Sequence, residues 1–137
     1  MKTSIFVDTG AFFALEYKRD QFHSEATAVF AKIKSKRLEL ITTTLIINET
    51  VTMLQRKCGY EFALRFLSTL LESRNVEIVT MNDQFMSKVW NEFKHKAAEG
   101  LTLTDCLSRV IIKTRKIRHV FAFDRHLKTS GSVLLKG

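Results

Sequence analysis

One segment constrains this chain more than any other: Ser4-Ile5-Phe6-Val7-Asp8-Thr9-Gly10-Ala11-Phe12-Phe13-Ala14-Leu15. Ile5, Phe6 and Val7 form a continuous apolar run, the pattern of a central parallel strand covered on both faces. The run stops on a carboxylate, Asp8, and a helix is expected from Ala11 to Glu16. In an open α/β sheet the ligand crevice lies at the carboxyl ends of the strands, so Asp8 falls at its mouth. Two roles compete for it. One is a helix N-cap, whose side-chain oxygen accepts a free N–H of the next turn. The other is a ligand for a metal or a substrate. The choice turns on whether other acids reach the same crevice.

The rest of the chain alternates strand and helix. A helix follows with Phe22, Ala26, Val29, Phe30 and Ile33 on one face. It ends on Lys32, Lys34, Lys36 and Arg37, which suit the negative end of a helix dipole. His23, near its start, reads as a capping or surface residue. Leu38 to Thr44 is the second strand, and Thr42, Thr43 or Thr44 can cap the next helix. That helix carries Ile47, Val51 and Leu54 as its core stripe, leaves Glu49 off the stripe, and stops at Gly59. Tyr60 to Leu71 is apolar on two faces, one through Tyr60, Ala63, Leu64, Leu67 and Leu71, the other through Phe62, Phe66 and Leu70. A helix apolar nearly all round is deeply buried or covered by a partner, and the Phe62/Phe66 surface is assigned here to a second subunit or another protein. Val76 to Met81 is the third strand. Asn82 starts a helix with Phe85, Met86, Val89, Trp90 and Phe93 facing the core, broken by Gly100. Thr102 to Arg115 is a helix with Leu103, Cys106, Leu107, Val110 and Ile111 inward. Val120 to Phe123 is the fourth strand, ending on Asp124, and Val133 to Leu135 is a short fifth. The expected fold is α/β: one domain over residues 1–137, with a mostly parallel five-stranded sheet and helices on both faces.

Four acids share a context. Asp8 and Asp124 follow apolar strands, while Glu49 and Asp105 lie near helix starts after a strand or loop. Each has an ordinary structural role available: Thr102-Leu103-Thr104-Asp105 fits a capping box, and Asp105 could also pair with Arg109 one helical turn on. A parallel sheet nevertheless brings strand ends and helix starts to one edge, so the four can converge. The chain as a whole carries a net charge of +8, from 22 Lys and Arg against 14 Asp and Glu. Converged carboxylates repel and would hold protons unless a cation neutralises them. Oxygen donors suit Mg²⁺ or Mn²⁺, and a hydrated cation in a basic surround suits phosphodiester hydrolysis, with Lys and Arg holding a nucleic-acid backbone. The two cysteines, Cys58 and Cys106, are too few for a disulfide framework and have no zinc-ligand spacing. No apolar run is long enough to cross a bilayer. The first strand is expected to open the chain without a secretory leader, and the expected compartment is the cytoplasm.

Four stretches together carry a family resemblance: Val7-Asp8-Thr9-Gly10-Ala11-Phe12-Phe13-Ala14-Leu15, Thr43-Thr44-Leu45-Ile46-Ile47-Asn48-Glu49-Thr50, Leu101-Thr102-Leu103-Thr104-Asp105-Cys106 and Ala122-Phe123-Asp124-Arg125-His126-Leu127. In these the chain resembles the PIN-domain nucleases, in particular the VapC-type toxins of bacterial and archaeal toxin–antitoxin pairs. The resemblance implies Mg²⁺- or Mn²⁺-dependent endoribonuclease activity on RNA, a cognate antitoxin protein and a homodimer. It places Asp8, Glu49, Asp105 and Asp124 in the metal site, with the Thr9 and Thr102 hydroxyls beside it. The chain departs from many relatives in having Leu127 where they have an aromatic residue. Others have an acid where His126 stands, and some have one where this chain has Ala98, next to Glu99. These departures bear on whether one or two metals bind. The competing readings are a non-catalytic RNA-binding module on the same fold and a housekeeping nuclease without an antitoxin. A phosphatase of the haloacid type would need a second Asp two residues after Asp8, where Gly10 stands.

Overall fold

The computed structural model describes residues 3–136, so residues 1, 2 and 137 of the expected 1–137 domain lie outside the described residues. The strands are β1 (Ser4–Val7), β2 (Glu39–Thr43), β3 (Val76–Val79), β4 (His119–Phe121) and β5 (Val133–Leu134). The helices are α1 (Thr9–Glu16), α2 (His23–Ser35), α3 (Thr44–Cys58), α4 (Tyr60–Glu72), α5 (Asp83–Lys96) and α6 (Leu103–Thr114). Short 3₁₀ turns cover Ala97–Glu99 and Arg125–Leu127.

The sheet order is β3-β2-β1-β4-β5, and every pairing is parallel. β1 is central because its three apolar residues are fully buried, which only a strand covered on both faces allows. Phe6 lies opposite Ile41 on one side and Val120 on the other. The chain runs outward from β1 through β2 to β3, then crosses back to add β4 and β5 on the far side of β1. Right-handed crossovers therefore put α5 and α6 on the opposite face from the preceding helices. The reversal falls between β1 and β4, and that switch point is where the crevice opens.

Local chemistry fixes the ends of the elements. The Thr43 hydroxyl caps α3 by accepting from the Ile46 amide at 3.1 Å, and Asn82 caps α5 by accepting from the Phe85 amide at 2.9 Å. Thr42, fully buried, donates its hydroxyl to the Val7 carbonyl at 3.0 Å, tying β2 to the end of β1. Gly59 joins α3 to α4 at φ +88°, a conformation that L side chains resist.

Several expectations shift. α1 starts at Thr9, two residues early, and Phe22 precedes α2 instead of joining it. The α3 core stripe is Ile46, Thr50 and Leu54, with Ile47 and Val51 only half-buried. With Thr43 as the cap, the helix takes the phase that turns Ile46 inward. β4 ends at Phe121, so Phe123 and Asp124 belong to the following turn. Phe66 is buried against Phe12, at 5.6 Å between ring centroids, and so belongs to the core; the outward face of α4 is Tyr60, Leu64 and Leu71, each more than half exposed. Trp90 is 55% exposed and Leu103 37%, against the inward placement expected of both. Val89 alone on α5 is fully buried.

The α3 phase predicts a contrast. Ile46→Ala should cost about 2–5 kcal/mol in urea unfolding, as for other large-to-small core changes, and Ile47→Ala less than half as much. Equal costs would contradict this phase.

Candidate active site

Asp8 is the first residue past β1. Its amide still donates to the Phe121 carbonyl at 3.1 Å, so the backbone continues the β1–β4 ladder for one more residue. Its own carbonyl accepts from Ala11 and Phe12, which starts α1. The backbone thus occupies the N-cap position, yet the side chain makes no cap hydrogen bond. That weighs against the cap role left open for Asp8: the buried carboxylate meets the adjacent Thr9 amide and not the amides one turn on that a cap would take.

A cleft of about 450 Å³ lies over this point. Asp8, Glu49, Asp105 and Asp124 all line it, as do Thr9 and Thr102. The six residues expected at a metal site therefore line one cavity. Asp20, Phe22 and Phe123 line it too, and none of these was anticipated there. Asp20 falls in a charged loop, where its carboxylate accepts from the Phe22 amide at 2.8 Å. Phe22 and Phe123 stack nearly parallel at 4.4 Å and form an apolar wall. A Phe just before the α2 pattern and a Phe just before Asp124 were the available signals.

Each acid is held differently. Asp105 closes a capping box: its Oδ2 accepts from the Thr102 amide at 3.0 Å, and its own amide donates to the Thr102 hydroxyl at 3.1 Å. The box orients a carboxylate that also faces the cleft, so its structural and site roles coexist. Arg109 pairs with Glu92 at 3.2 Å and not with Asp105. Burial alone would raise the Glu92 carboxyl, but Arg109 and Lys113 outweigh it and hold the group below its ordinary value. Arg109 also donates to the His126 carbonyl at 2.7 Å, bracing the turn that carries Asp124. In that turn Asp124 Oδ1 accepts from the His126 amide at 2.9 Å and lies 3.0 Å from His126 Nδ1. Glu49, half-buried, comes from the second turn of α3. His23 is neither cap nor free surface: its Nδ1 bonds the Ala14 carbonyl at 2.7 Å and joins α2 to α1.

The electrostatic consequence falls on Asp8. Burial lifts its carboxyl from 3.8 to about 7; the Thr9 backbone hydrogen bond offsets part of this, and Asp105, Asp124 and Glu49 each push it further up. The Thr9 hydroxyl is buried and has no partner among the described residues. A buried carboxylate only partly compensated, an orphaned hydroxyl and three neighbouring carboxylates form a hard-oxygen donor set that fits a divalent cation of the Mg²⁺ or Mn²⁺ kind. Ligand atoms of Asp105, Asp124 and His126 lie within 4.8 Å of one another. Exposed cations stand on the rim segments, Lys18 and Arg19 ahead of Asp20 and Arg125 after Asp124.

The raised Asp8 carboxyl has a signed effect on stability. The folded chain favours the neutral acid, so in metal-free protein this contribution is complete below about pH 4 and is lost as pH rises towards 7. With EDTA present, Asp8→Asn should be more stable than wild type at pH 8, by at most on the order of 4 kcal/mol. The gap should close near pH 4 in urea unfolding; a less stable variant at pH 8 would contradict this account of Asp8.

Comparison with known proteins places this geometry. The family model described as PIN domain matches residues 5–130. A curated relative from Mycobacterium tuberculosis, the 23S rRNA-specific endonuclease VapC20, is 26% identical over 129 residues, covering 94% of this chain and 95% of its own. The crystal structure of VapC20, described as a Sarcin-Ricin loop cleaving toxin, superposes with a TM-score of 0.86 at 25% identity, over 97% of this chain and 99% of that one. VapBC2 from Rickettsia felis, solved bound to a DNA fragment from its promoter, shares the fold with a TM-score of 0.68 at 11% identity, over 97% and 98% of the two chains. With a parallel five-stranded α/β sheet, four acids at its switch point and a family match spanning nearly all of its length, this chain belongs to the PIN domain family.

Proposed function

We propose that this protein is a divalent-metal-dependent endoribonuclease, the toxin of a toxin–antitoxin pair. The observation that carries the reading is the convergence of Asp8, Glu49, Asp105 and Asp124 on one cleft in a chain of net charge +8. Acids concentrated at one point of a basic protein repel the substrate as well as one another, and a bound cation removes both problems. The likeness to VapC20, 26% identical but extending over nearly the whole chain, supports RNA as the substrate and ribosomal RNA as the first class to test.

In this reading Asp8, Asp105 and Asp124 hold Mg²⁺ or Mn²⁺, directly or through water, and Glu49 orients the attacking water. When bound, the cation supplies Lewis-acid stabilisation of the phosphate and activation of that water. The chain does the rest. The capping box fixes Asp105, the Arg109-braced turn fixes Asp124, and the Thr9 and Thr102 hydroxyls stand beside the carboxylates. Lys18, Arg19 and Arg125 contact the RNA backbone, which gives salt-dependent binding with little base readout. The stacked Phe22–Phe123 wall keeps one side of the cleft dry.

The partner protein has a place as well. A separate, mostly apolar groove of about 590 Å³ runs between α1, α2 and α4, with Phe12, Phe62 and Phe66 in its lining and Glu16 and Arg65 among its few charges. It suits an apolar segment of an antitoxin, whereas the exposed Tyr60, Leu64 and Leu71 face suits a second copy of this chain. Among the described residues no helix is long and apolar enough to cross a membrane.

Cleavage of single-stranded and ribosomal RNA should require Mg²⁺ or Mn²⁺, stop with EDTA, and fall by at least about 100-fold in Asp8→Asn, on the scale of losing a group that acts on the reacting centre. Metal-independent cleavage, or full activity in Asp8→Asn, would contradict the nuclease assignment. RNA binding without cleavage under every metal condition would favour the non-catalytic module.

A further inference from the structure

We infer that His126 is a nitrogen ligand of the metal site, and that it tilts the site from Mg²⁺ towards Mn²⁺. The inference rests on the metal-site reading above and concerns a residue that reading does not use. His126 Nδ1 lies 3.0 Å from Asp124 Oδ1, and one ligand atom from each of Asp105, Asp124 and His126 falls within 4.8 Å of the others. Adjacent ligands of an octahedral ion at about 2.1 Å are separated by about 3.0 Å, and opposite ones by about 4.2 Å. The His126–Asp124 separation is thus that of two adjacent ligands, and a carboxylate oxygen of Asp105 lies within reach of the same ion. An independent observation points to a ligand in the adjoining cleft that Asp105 and Asp124 also line: the Thr9 hydroxyl there, in a residue only 5% exposed, has no hydrogen-bond partner among the described residues.

The backbone that carries the ring is also braced. Its amide donates to Asp124, its carbonyl accepts from Arg109, Arg109 is gripped by Glu92, and the next residue, Leu127, is fully buried. Imidazole nitrogen favours first-row transition ions over Mg²⁺, which demands a near-ideal oxygen shell and gives up its waters reluctantly. A mixed nitrogen and oxygen set therefore binds Mn²⁺ ahead of Mg²⁺, whereas an all-carboxylate set discriminates less.

The test uses the full chain with MnCl₂ or MgCl₂ and reads binding, not cleavage. Electron spin-echo spectra of bound Mn²⁺ should show ¹⁴N coupling in wild type and lose it in His126→Ala. Calorimetry should show Mn²⁺ affinity falling by about tenfold or more in His126→Ala, the scale on which ligand-shell changes act, with Mg²⁺ affinity changing much less. His126→Asp, which restores an all-oxygen set, should narrow the preference for Mn²⁺. Bound Mn²⁺ without ¹⁴N coupling in wild type, or coupling that survives in His126→Ala, would overturn the inference and leave the carboxylate site standing. Failure of wild type to bind either ion would overturn the metal site itself.

Discussion

The structure depends on one unresolved electrostatic conflict. Asp8 is buried at the end of the central strand, and three other carboxylates push on it from separate parts of the chain. The fold relieves only part of this: the Thr9 amide hydrogen-bonds the carboxylate, and among the described residues no cation lines the cleft beside it. A fold that only needed a helix cap would have turned the side chain onto the amide three residues on, as Thr43 does for α3. The conflict persists because a stable sheet surrounds it, which is how sites that need strained or repelling groups are maintained.

The sheet topology creates the conflict. β1 and β4 are neighbours, but the chain leaves β1 in one direction and reaches β4 only after crossing back over the sheet. β1 leads into α1 and β4 into the short turn that carries Asp124, and the gap between these two exits is lined by side chains from α3 and α6. Glu49 and Asp105 occupy that gap because α3 and α6 start at the same edge. Binding chemistry is confined to this edge, while the opposing core of Phe6, Ile46, Leu54 and Phe121 needs only to stay packed.

The parts legible in the sequence were those where one local signal had one physical cause. An apolar run ending on an acid marks a buried strand and its carboxyl end, and this held for Asp8 and for the region of Asp124. The Thr102 to Asp105 capping box formed as its spacing implied. What the sequence concealed was helix phase and mixed duty. Thr42, Thr43 and Thr44 are all plausible caps, and a shift of one residue rotates a helix by about 100°, enough to exchange Ile46 for Ile47. On α5 the apolar residues span too wide an arc for all to face inward, so Trp90 is left outside. Asp20 and His126 look like loop residues; that Asp20 lines the cleft and that His126 comes close to Asp105 and Asp124 depends on tertiary packing that local patterns do not encode.

The central claim is that four distant carboxylates act as one electrostatic unit centred on Asp8. The most direct measurement is the ¹³C chemical shift of the Asp8 side-chain carboxyl carbon, followed against pH in metal-free protein, in wild type and in Asp124→Asn. The account predicts a wild-type midpoint of about 7, a lower midpoint in Asp124→Asn, and a lower one again in wild type once Mn²⁺ or Mg²⁺ is added. A midpoint near 3.8 that neither the substitution nor the metal moves would contradict it.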